Sequence, residues 1–167
     1  MEITTSSIRE LRDQCGAGIM DCRKALLEAQ GDMEKALQIL KQKSLIQAQK
    51  KAKRSATDGL IGAYIHAGGR IGAMVEVNCE TDFVARTREF KELAHILAMQ
   101  VAAMSPEFIS SEEIPEEYDK DPQTACLLLQ PYIKDPEKSI QDIIAETIAK
   151  VGENIKVSRF ARFGIGE

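Results

Sequence analysis

Residues 78–90 read NCETDFVARTREF. The first of them close a run, Ile71–Cys79, in which Ile71, Ala73, Val75, Val77 and Cys79 alternate down one face, the period of a half-buried strand. The last of them open a segment from about Thr87 to Met104 in which Phe90, Leu93, Ala94, Leu97 and Val101 form one helical stripe. A change of period from two to 3.6 within one corner predicts a strand feeding a helix that lies across it, and so an α+β fold. At the join Thr81, Asp82, Phe83 and Val84 stand in a row. Thr81 or Asp82 can cap a short helical turn. Phe83 either plugs the end of the core or projects from the corner, and the residues alone leave both open.

Upstream of the corner, Leu60–His66 and the Ala67-Gly68-Gly69 turn complete a β-hairpin with the strand. Downstream, residues 105–121 carry Pro106, Pro115 and many acids and read as a loop, and Ala125–Leu129 reads as a buried helical turn. Ser139 caps a helix with Ile140, Ile143, Ile144, Thr147, Ile148 and Val151 inward and Gly152 at its end. ENIKVSRFARFGIG, residues 153–166, reads as a third strand. Its alternation slips near Arg159 and Phe160, which signals a bulge or two partly covered faces. Residues 56–167 therefore form an α+β core domain, a small antiparallel three-stranded sheet packed with helices. So few helices leave one sheet face open, which predicts a homodimer through this domain, unless Arg162 and other polar residues leave that face in water.

Residues 1–43 read as three short helices. Ser7 and Glu10 have capping-box spacing, Ile8, Leu11 and Cys15 share a face, and Gly16-Ala17-Gly18 ends the helix. Cys22, Ala25, Leu26 and Ala29 follow at helical spacing as far as Gly31, after which Asp32 caps a third helix with Met33, Ala36, Leu37 and Leu40 inward. A unit of that size suits an interaction module better than an enzyme. Residues 44–55 are polar and basic without a broad apolar face, and read as a partly helical linker.

Composition narrows the function classes. The chain of 167 residues is 44% hydrophobic and 29% charged, with no apolar run near the length of a membrane span and a start, MEITTSSIRELR, unlike a secretion signal or transit peptide. A soluble, cytoplasmic protein without a membrane partner is the expectation. The net charge of -4 argues against nucleic acid as partner. Lys41, Lys43, Lys50, Lys51, Lys53 and Arg54 form a basic block, and the loop from Glu107 to Asp121 is acidic; each reads as solvated surface. Cys15, Cys22, Cys79 and Cys126 have no CxxC or zinc spacing and read as small hydrophobes, so no metal or cofactor is expected. His66 and His95 are the only histidines and no GxxxxGK[ST] occurs, so no catalytic set is legible. Gly68, Gly69 and Gly72 are explained by the hairpin.

Three runs carry a resemblance: IRELRDQCGAGIMDCRKALLEAQGDMEKAL, EVNCETDFVAR, and QPYIKDPEKSIQDIIAETIAKVGENIKVSRFARF. In this order, and over most of the chain, they resemble bacterial translation elongation factor Ts. The resemblance implies a first module like a ubiquitin-associated domain, an α+β core, and guanine-nucleotide exchange on the GTPase elongation factor Tu rather than covalent chemistry. It places the family's TDFV motif, associated with displacing the GTPase's magnesium ion, on Thr81, Asp82, Phe83 and Val84. It places contacts with the nucleotide-binding domain on the first helix and the GAGIMDCRK turn, at Arg12, Ile19, Met20 and Arg23. The longer relatives' second half of the core is missing, and the segment between Pro115 and Leu129 is short even beside compact members. Cys15 stands where a threonine would be unsurprising.

Two other function classes compete. A nucleic-acid module would use the basic block, which lacks interleaved aromatics for base stacking. An adaptor using only the three-helix unit leaves the corner and the second domain without a role.

Overall fold

Thr4, rather than Ser7, opens the first helix, α1 (Thr5–Cys15): its hydroxyl accepts the Ser7 backbone N–H at 3.2 Å. The expected Ser7–Glu10 box therefore lies inside the helix, where the Glu10 N–H already bonds within the helix and needs no cap. The computed structural model describes residues 3–167, so the first two residues of the 1–43 module lie outside it. Gly16 closes α1, and α2 (Ile19–Glu28) follows. Asp32 caps α3 (Met33–Lys51) by accepting Lys35 N–H at 3.1 Å. Leu11, Cys22, Ala25, Leu26, Ala29, Ala36 and Leu40 are the buried core of this unit.

α3 does not stop near Lys43. It runs unbroken through most of the 44–55 stretch read as a partly helical linker. The second half needs no broad apolar face because tertiary contacts replace one. Ala48 packs on the core of the second domain. There α3 meets α7 (Ile140–Val151): Lys41 forms a 2.8 Å ion pair with buried Asp142, and Lys51 Nζ donates to the Ile148 carbonyl at 3.5 Å. Long lysine stems cover apolar surface while their ends find acceptors.

The sheet has the order β1-β2-β5, all antiparallel, with β1 at Asp58–Ile65, β2 at Ile71–Cys79 and β5 at Lys156–Gly164. Gly68 and Gly69 hold φ of +90° and +69° in the β1–β2 turn, conformations that side chains resist. Ala73, Val75, Val77 and Cys79 face inward, as their alternation predicts. Against them lies α5 (Arg88–Met104), capped by Thr87, with Phe90, Leu93, Ala94, Leu97 and Val101 buried. Gly62 permits this approach, since a Cβ there would sit 2.5 Å from the Ala94 carbonyl oxygen. α7 packs beside α5, capped by the reciprocal Ser139–Asp142 box.

The β2–β5 register shifts opposite Glu76 and Val77, leaving Ser158 as the extra residue of a bulge, one position before the expected slip. Residues 105–130 are mostly irregular, with a short helix α6 (Pro122–Ala125) and a 3₁₀ turn at Leu127–Leu129. A small hairpin, β3 (Pro131–Tyr132) and β4 (Asp135–Ser139), has no alternation to announce it. The fully buried Gln100 and Gln130 bond to each other at 3.1 Å and tie this region to α5.

The outer sheet face carries exposed Ile61, Ile65, Met74 and Phe163, with Ile65 and Phe163 flanking Gly72 in register. Arg162 does not water this face. It pairs with Ala73 on the inner side and donates from Nε to the Ala102 carbonyl at 3.1 Å, where the end of α5 offers an acceptor. Among the described residues no helix is long and apolar enough to cross a membrane.

Candidate functional site

At the corner, β2 ends in Cys79, and a single helical turn, α4 (Asp82–Ala85), bridges to Thr87 and α5. Thr81 occupies the N-cap position without capping through its side chain. Its hydroxyl donates instead to Glu153 Oε1 at 2.7 Å, and its backbone N–H donates to Glu153 Oε2 at 2.9 Å. Asp82 pairs with Arg86 Nη2 at 2.6 Å on the exposed side of the turn. Val84 and Ala85 are buried, and the Thr87 hydroxyl donates to the Val84 carbonyl at 2.7 Å. Phe83 is 78% exposed. The ring therefore projects, and the core-plug alternative is excluded. The turn is pinned by the residues on either side of Phe83 and leaves that one aromatic free, an arrangement that suits contact with another surface.

A second exposed apolar feature lies on the turn between α1 and α2. Ile19 and Met20 open α2 with their side chains more than half exposed, and Arg12 and Arg23 are exposed beside them. A cleft of about 960 Å³ runs between the three-helix unit and the core; Arg12, Ile19 and Met20 line it from one side, Val84 and Thr87 from the other. The fold thus brings the turn and the foot of the corner to one cleft. Arg23, Thr81, Asp82 and Phe83 lie outside its lining. Sequence reasoning missed Glu153, whose partners are 72 and 73 residues away and leave no local signal.

The cysteines carry no reactive signature. All four are free, and burial pushes the thiols of Cys79 and Cys126 up. Burial, and then Cys15 at 3.9 Å, pushes the Cys22 thiol up to about 11. Among the described residues no group of three or more His, Cys, Asp or Glu side chains could hold a metal ion.

A projecting aromatic at the corner and an exposed apolar turn on the three-helix unit are the two surface features suited to contact with another molecule. The sequence profile described as Elongation factor TS matches residues 28–123. The chain is 47% identical over 195 residues to elongation factor Ts of Carboxydothermus hydrogenoformans, covering 99% of this chain and 90% of the relative. It is 49% identical to that of Thermoanaerobacter sp. strain X514, covering 99% and 96%, and 47% identical to that of Thermotoga neapolitana, covering 100% and 99%. This chain belongs to the elongation factor Ts family. Alignments over 195 residues against a chain of 167 mean that these relatives carry segments without a counterpart here.

Proposed function

We propose that this protein is the guanine-nucleotide exchange factor for elongation factor Tu in the cytoplasm, binding the GDP-bound GTPase and promoting GDP release without covalent chemistry. The observation that carries the reading is the exposed Phe83 on a one-turn helix whose flanking residues are all held. Thr81, Asp82, Phe83 and Val84 form the element that disturbs the magnesium and phosphate site. Mg²⁺ requires a nearly ideal octahedron, so a ring wedged between the supporting helices weakens its hold disproportionately. Asp82 competes for donors that stabilise the nucleotide-bound arrangement. Linkage is reciprocal, so a factor that loosens nucleotide is itself loosened when GTP arrives.

The three-helix unit acts as a ubiquitin-associated-like docking module through Arg12, Ile19, Met20 and Arg23. A second copy covers the outer sheet face, whose exposed Ile61, Ile65, Met74 and Phe163 make an apolar patch suited to a twofold contact. The exchange reading is tested by mixing substoichiometric protein with elongation factor Tu loaded with fluorescent GDP. Accelerated release is expected; release at the spontaneous rate by a folded sample overturns it.

A further inference from the structure

Two carboxylates are exchanged between the corner and the junction that follows α7. Glu153 Oε2 accepts the backbone N–H groups of Glu80 and Thr81 at 3.1 and 2.9 Å, while its Oε1 accepts the Thr81 hydroxyl. In return the Glu80 carboxylate accepts the Asn154 backbone N–H at 2.7 Å. Asn154 is buried, and its side-chain amide donates to the Arg54 carbonyl at 2.8 Å and the Ala52 carbonyl at 3.4 Å, just beyond the end of α3. Arg54 also approaches Glu80 at 3.6 Å.

This network solves a local problem. A four-residue helix cannot hold itself in water, and α4 lacks a side-chain cap at its N-terminus because Thr81 is turned toward Glu153. Burial of Val84 and Ala85 anchors the turn from behind. The Glu153 carboxylate anchors it from the strand side by accepting three hydrogen bonds at once. The Phe83 ring, mostly exposed, takes its direction from this backbone.

We propose that Glu153 is a positioning residue for nucleotide exchange: its carboxylate fixes the angle at which the corner offers Phe83. Through Asn154 the same clasp keeps the corner in register with the end of α3, and so with the docking module. The proposal rests on the exchange reading above. Geometry rather than charge is what counts, because a glutamine can accept both N–H groups through its carbonyl and donate its amide to the Thr81 oxygen.

The test measures stimulated GDP release from elongation factor Tu for the full chain, Glu153→Ala, Glu153→Gln, Phe83→Ala and the Glu153→Ala/Phe83→Ala double variant. An inactive wild-type protein would overturn the exchange reading itself, before Glu153 is in question. With active wild type, Glu153→Ala is expected to lower kcat about tenfold with KM little changed, the scale on which a misplaced group acts, and Glu153→Gln to stay within about twofold of wild type. In the Phe83→Ala background the Glu153 truncation should cost much less than in wild type, since only Asp82 then remains to be aimed. A Glu153→Ala protein that exchanges normally, or an equal fold-loss in both backgrounds, overturns the proposal. Thr81→Val removes only the hydroxyl bond and serves if Glu153→Ala fails to fold; it should lose about threefold in kcat, and a wild-type rate there overturns the proposal equally.

Discussion

Replacing Phe83 by alanine separates contact from packing. About a fifth of this residue is shielded from solvent in the free protein. Truncating a fully buried phenylalanine costs about 3–5 kcal/mol, so a fifth of that is under about 1 kcal/mol, partly offset by roughly 0.5 kcal/mol of better helix propensity for alanine. The melting temperature should stay within about 2 °C of wild type. At the interface the same truncation removes an aromatic anchor worth about 2 kcal/mol, which is about 30-fold in stimulated GDP release. Thermal unfolding by circular dichroism and stopped-flow release of fluorescent GDP, run on the same preparations, measure the two quantities. Normal exchange by Phe83→Ala refutes the wedge. A melting temperature lower by ten degrees or more (about 3 kcal/mol) refutes the packing argument.

Met20→Asp should leave the melting temperature unchanged and raise the KM for elongation factor Tu about tenfold with kcat preserved, because it touches docking rather than the corner; a matching fall in kcat at unchanged KM would contradict this division. Light scattering at tens of micromolar should give twice the 18.5 kDa chain mass, and Phe163→Asp should give the single-chain mass; a monomeric wild type removes the homodimer. Asp142 is pushed up by burial but held lower overall by the Lys41 ammonium and the Ser139 N–H and side chain. Its folded value lies below the ordinary 3.8, so its contribution to stability is present above about pH 4 and lost as pH falls through the folded value. Asp142→Asn should therefore be less stable than wild type in urea at pH 7, with the gap closing below pH 4; a gap that persists unchanged at pH 2 contradicts the ion-pair assignment.

The parts of the fold that were legible are those in which large apolar residues keep one period. The stripe from Phe90 to Val101 and the alternation from Ile71 to Cys79 identify α5 and β2 because each buries one face against the other. The tail of α3 was hidden because its burial rests on Ala48, which has too little area to write a pattern, and on lysine stems that read as solvent-facing. Thr4 and Ser7 offer rival capping registers, and Leu11 falls inside the helix with either, so the buried face does not choose between them. Of the candidate site, the corner could be located but not the direction of Phe83, since a strand-to-helix turn can send that ring either way. Glu153 was invisible for a different reason: a hydrogen bond that spans most of a domain has no sequence period.

The continuity of α3 bears on where mechanical work goes. Its 19 residues span about 28 Å, a strut shared between the three-helix unit and the core and clamped to α7 along its second half. The α1–α2 turn and the Phe83 corner are thereby mounted on a stiff gauge of fixed spacing. A partner that engages both would meet the second at high effective concentration once the first has docked. Any mismatch between that spacing and the partner's resting shape must be absorbed by whichever body is more compliant. A hinge at Lys43 would let the three-helix unit and the core shift to suit an undistorted partner. The unbroken strut removes that escape, so a partner that engages both features would have to take up the mismatch itself.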